Sequence, residues 1–169
     1  MDLEFLATQM NIHAGAIHSL TLGISEPQAR WKPDPESWSI LEVVNHLYDE
    51  EREDFRLRVD YILHHPDRSW PPINPKGWVM ERAYNQRDLS LSVEDFLKER
   101  QKSLAWLKGL ENPDWNASVT VPFGEFSAGD IAAAWVAHDL LHLRQLVELH
   151  WSFILHAAEP YKVDYAGEW

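Results

Sequence analysis

Apolar residues recur at helical spacing in four long segments, and Pro- and Gly-containing stretches separate them, so the pattern predicts an all-helical chain. From about Asp2 to Leu22, the residues Leu6, Met10, Ile17 and Leu20 share one face, and Gly23 supplies a stop. A second segment opens at Ser39, with Glu42 placed to complete a capping box. It carries Ile40, Leu41, Val44, Leu47, Tyr48, Phe55 and Ile62 as its apolar stripe and ends near His64, before Pro66. The third segment is expected to start near Ser92, with Asp95 in the box position. Val93, Leu97, Leu104 and Leu107 form its stripe before Gly109 ends it. The fourth opens at Ser127 with Asp130 and runs unbroken to about Ala157. Just ahead of it, Val119 to Phe126 has the β-branched and Gly/Pro character of a short hairpin.

Four amphipathic helices with almost no strand content predict a four-helix bundle, with residues 1–169 as a single domain. Short links join antiparallel neighbours, whereas the link from about Pro66 to Leu91 is long enough to carry the chain back along the bundle. The second and third helices are therefore expected to run parallel. That link holds Trp70, Pro71, Pro72, Pro75, Gly77 and Trp78, and it either covers a site or packs as a surface loop.

Composition narrows the chemistry. The chain has 169 residues, enough to bury roughly 70% of its unfolded surface without covalent staples. It has no cysteine, which excludes a disulfide scaffold, a thiolate-held metal and a thiol nucleophile, so any metal must sit on His, Asp or Glu. With 15 Lys+Arg against 27 Asp+Glu, the net charge of −12 opposes binding to nucleic acid or anionic lipid. The longest apolar run, Ile131 to Ala137, is too short to span a membrane. Asp2 and Glu4 stand where a signal peptide would be basic, so a cytoplasmic protein is expected. Nine tryptophans suggest a pocket or an interface as well as a core.

His138 and His142 lie four apart on the fourth helix, about 6 Å along its axis. At about 100° per residue they fall within one sector with Ile131, Trp135, Gln145, Leu149 and Phe153. Two imidazoles inside an apolar stripe need partners, because a buried unpaired polar atom costs about 1–3 kcal/mol. A divalent ion would satisfy both, as would hydrogen bonds to Gln145, a tyrosine or the backbone. Two candidates exist for a third ligand. His13 falls on the stripe of the first helix. His46 falls opposite the stripe of the second, among Glu42, Asp49, Glu50 and Glu53, which reads either as a solvated acidic face or as carboxylates that orient the ring.

The stretch Trp38-Ser-Ile-Leu-Glu-Val-Val-Asn-His-Leu47, after the loop Trp31 to Pro35, resembles the second-helix signature of the DinB/YfiT-like family. So does Ser127-Ala-Gly-Asp-Ile-Ala-Ala-Ala-Trp-Val-Ala-His-Asp-Leu-Leu-His-Leu-Arg-Gln145, with its lead-in Phe123-Gly-Glu-Phe126. The resemblance implies an up-down-down-up bundle and one divalent metal held by His46, His138 and His142, with His13 structural. It also implies a homodimer and an enzyme acting on a small organic molecule. Characterised members include S-transferases and isomerases that use low-molecular-weight thiols. Three neutral imidazoles with a position left open suit zinc, nickel, iron(II) or manganese, and either water or a thiol cosubstrate would be activated there. Glu50, one turn beyond His46, is the first candidate for a base beside the metal. Gln145 is a candidate to position a water or a histidine, and Arg100, on the third-helix stripe, is a candidate to bind an anionic substrate unless it pairs or snorkels. The alternative is a non-catalytic, stress-associated bundle in which the histidines satisfy the core or hold a structural metal.

Overall fold

Each long helix begins on a residue whose side chain answers its first free N–H groups. The structure, a computed structural model describing residues 1–169, starts with α1 (Leu3–Thr21), capped by Asp2, which accepts from the amides of Glu4 and Phe5. A short α2 (Glu26–Arg30) follows, capped by Ser25. The second long rod is made of α3 (Ile40–Glu50), a π-helical turn (Glu51–Phe55) and α4 (Arg56–His64), entered through the full Ser39/Glu42 capping box. The long link contains α5 (Pro75–Glu81) and a 3₁₀ turn (Tyr84–Gln86), neither of which the hydrophobic pattern indicates. Then come α6 (Leu89–Lys108), the hairpin β1 (Ser118–Val121) and β2 (Gly124–Ser127), with Val119 opposite Phe126, and finally α7 (Ala128–Ala157), capped by Ser127 and Asp130.

The start of α6 corrects the sequence expectation. Asp88, not Ser92, caps this helix, accepting from the Leu91 amide at 2.8 Å. Ser92 sits one turn inside, where its hydroxyl donates to the Asp88 carbonyl at 2.7 Å and accepts from Asn45 at 3.0 Å. A serine with two such partners has no need to cap.

Two tiers of core fix the topology. At one end Leu6 packs with Val59, Ile62, Ala128 and Ile131, beside Ala7, Leu104, Leu107 and Trp135. At the other end Ala14 and Ile17 pack with Leu41, Val44, Leu89, Val93, Leu146 and Leu149. From the first tier to the second, α1 and α7 run N to C, whereas the α3–α4 rod and α6 run C to N. This is the up-down-down-up course, and it requires the long second crossover. The α1 helix packs on α6 and α7, and the α3–α4 rod packs on the same two. No helix is long and apolar enough to cross a membrane.

Candidate metal centre

Helix α3 is buried on nearly every side: Ile40 through Leu47, Asp49 and Glu50 all lie out of solvent. The wheel that places His46 on a solvated acidic face fails here, because the crossover folds over that face and answers its charges. Arg82 donates to Asp49 at 2.5 Å and to Glu53 at 2.9 Å, with its guanidinium 4.0 Å over the Trp78 ring. The buried Tyr84 hydroxyl donates to the same Asp49 carboxylate, and Lys32 reaches Glu42 at 2.7 Å. His46 is left 4% exposed and faces α7.

On α7, His138 and His142 turn toward it. The Nε2 atoms of His46 and His138 are 3.3 Å apart, and those of His138 and His142 are 3.1 Å apart. The three rings each offer one nitrogen within a 4.8 Å cluster. A metal with M–N bonds of about 2.0–2.1 Å spaces tetrahedral nitrogen ligands roughly 3.3 Å apart, close to the two separations that His138 makes. Burial, then the neighbouring His142 and His138, hold the His46 ring neutral, pushed down to about 2. Burial and then His142 push His138 down to about 4, and burial lowers His142. Neutral rings present lone pairs, which is the form a metal takes.

The second nitrogens are placed unequally. Gln145 accepts from Nδ1 of His142 at 2.8 Å, which puts the proton on Nδ1 and leaves Nε2 free to ligate. The Nδ1 of His46 and the Oε1 of Glu50 are buried, lie 3.9 Å apart and have no hydrogen-bond partner. Burial lifts the Glu50 carboxyl to about 7, countered by Arg58 and reinforced by Asp49 and Glu53. Trp38 walls the cluster, its ring 4.9 Å from His46 and stacked at 6.3 Å on His142, and Phe55 lies 5.0 Å from His138. Nothing in the periodicity singles out Trp38, although it stands one residue before the Ser39 cap.

Arg100 is not available to a substrate. It is 1% exposed and its five N–H groups are all engaged: with Glu51 at 2.8 and 2.9 Å, with Asp139 at 2.7 and 2.8 Å, and with the Met10 carbonyl at 2.8 Å. Of the three readings of an arginine on an apolar stripe, anion binding, snorkelling and pairing, pairing is the one the interior enforces. His13 is not part of the three-histidine cluster, and its Nδ1 lies 3.4 Å from Asp139.

A model of the DinB superfamily matches residues 9–146. Among solved structures the chain is similar to YfiT from Bacillus subtilis, described as a probable metal-dependent hydrolase with an unusual four-helix bundle topology. The two share 16% identity and a TM-score of 0.76, over 87% of this chain and 85% of that one. That likeness speaks to the fold. No curated protein matches the sequence. The family match takes in part or all of every long helix and includes His13, His46, His138 and His142, and on it the chain belongs to the DinB superfamily.

Proposed function

We propose that this protein is a divalent-metal-dependent hydrolase of a small organic substrate, with His46, His138 and His142 as ligands and Glu50 as the proton acceptor. The observation that carries this reading is the convergence of three neutral imidazole nitrogens from two helices, 3.1 and 3.3 Å apart, beside a buried carboxyl. The donor set fits zinc, nickel, iron(II) or manganese. An ion held there supplies Lewis acidity and lowers the pKa of water. Gln145 fixes the His142 tautomer, and Trp38 and Phe55 exclude bulk solvent from the ring cluster. Glu50, at about 7, takes and returns a proton near neutral pH, which suits general acid–base work. YfiT's description as a probable metal-dependent hydrolase supports the same class.

The deciding experiment is the metal content of untagged protein by plasma mass spectrometry, beside a His138→Ala/His142→Ala variant, followed by a screen of ester, amide and thiol-transfer substrates. About one divalent ion per chain in the parent, none in the variant, and turnover abolished by Glu50→Gln support the reading. Turnover that requires an added low-molecular-weight thiol would reassign the chemistry to thiol transfer, and absence of bound metal after incubation with all four ions would remove it altogether.

A further inference from the structure

Between the crossover segment 66–73 and the hairpin lies a cavity of about 820 Å³. Its walls are aromatic. Trp70, Phe123 and Phe126 pack against one another with ring centroids 5.7–6.2 Å apart. Phe123 is 69% exposed at the hairpin tip, beside Gly124 with its positive φ, so its ring contributes little to the core. An exposed aromatic ring lining a concave site offers its face to a ligand.

The charges around this cavity cancel. Arg58 lies 4.3 Å over the Trp70 ring and is paired with Asp54, and the rim adds Arg68 and Asp67. Two cations against two carboxylates give no net attraction for an ionic ligand, while the π-faces favour a flat one. Phe55 and Ile131 also line it. Phe55 is shared with the histidine cluster, its ring 5.0 Å from His138, and Arg58, which lines the cavity, also acts on the Glu50 carboxyl.

We propose that this cavity binds the neutral aromatic body of the substrate, with the reacting end directed past Phe55 toward the three histidines. The direction rests on the metal-site reading above; the binding itself does not. The crossover and the hairpin, which lie far apart in sequence, thus make one recognition site.

The test is a titration with 1-naphthol, a neutral aromatic probe, followed through the indole N–H resonances, with the Trp70 signal identified by its loss in Trp70→Phe. Saturable shifts at Trp70, affinity at least threefold weaker in Phe123→Ala, and weaker binding of 1-octanol, naphthalene-1-sulfonate and 1-naphthylmethylamine are expected. Phe123→Ala removes an exposed ring, and its unchanged thermal midpoint would show the fold intact. Shifts that bypass Trp70, equal affinity in Phe123→Ala, or octanol or a charged analogue binding as tightly would overturn the proposal. His138→Ala/His142→Ala is expected to bind naphthol unchanged. Naphthol binding in protein that takes up no metal would sink the hydrolase reading and leave the cavity standing, whereas metal uptake without naphthol binding would do the reverse. In cobalt(II)-loaded protein, paramagnetic broadening of bound naphthol is expected, and its absence would refute the direction toward the histidines.

Discussion

Arg100 and Asp139 meet through two parallel hydrogen bonds, Nη1 to Oδ2 at 2.7 Å and Nη2 to Oδ1 at 2.8 Å, with both residues 1% exposed. The other edge of the same guanidinium holds Glu51, whose Oε2 also accepts from the Trp135 indole at 2.9 Å. Asp139 follows His138, and Glu51 follows Glu50. One cation on α6 therefore ties α7 to the end of α3 at the level of the histidines.

Removing that cation leaves two carboxylates buried and uncompensated. Arg100→Met is expected to lose about 3–5 kcal/mol of unfolding free energy. Arg100→Lys keeps the charge but not the double fork, and should lose less. Urea denaturation of the metal-free proteins measures both, and a loss under about 1 kcal/mol for Arg100→Met would contradict this account.

Gln145 accepts from Nδ1 of His142, so under the proposed metal site its effect should appear in metal affinity more than in folding. Gln145→Leu is expected to weaken zinc binding about 10- to 100-fold, as loss of such an orienting partner commonly does. Calorimetric titration of the apoprotein checks the affinity, and urea unfolding of the same samples should show only a small change.

Acid stability should depend on Glu99. Burial raises its carboxyl, but the hydrogen bonds from Lys102 and Arg56 outweigh that and hold it below the usual value of 4.5. A carboxylate with a depressed folded-state pKa contributes stability that is full above the unfolded value and is lost as pH falls through the folded one. Glu99→Gln should therefore flatten the fall of stability below about pH 4.5. Thermal midpoints recorded between pH 3 and 7 test this, and parallel curves for parent and variant would count against it.

Ala83 adopts the left-handed conformation, with φ 48° and ψ 48°, between Arg82 and Tyr84, which both reach Asp49. An L-residue there carries roughly 1–2 kcal/mol of strain, and glycine returns part of the gain as chain entropy. Ala83→Gly is expected to stabilise by about 0.5–1 kcal/mol, read as a higher urea midpoint with unchanged slope.

The helix starts at Ser39 and Ser127, the hairpin and the parallel second and third helices were legible because their causes are local. A cap needs a residue within three positions of it, and a crossover needs only chain length. The pairing of His138 with His142 on one face is likewise local. The π turn at Glu51–Phe55 was not legible, since no Pro or Gly marks it and the residues it turns inward are answered from other helices.

The sequence alone thus determined four amphipathic rods, their order and direction, and a pair of histidines on the last. Only the tertiary structure decided that His46 is buried. Its helix shows an acidic face that a single wheel assigns to water, and Arg82 and Lys32 pair with its carboxylates while the Tyr84 hydroxyl donates to Asp49, all from outside that helix. The same holds for Arg100, whose partners Glu51 and Asp139 lie 49 and 39 residues away. Periodicity records which face one helix offers, whereas burial of a charge depends on what the rest of the chain brings to meet it.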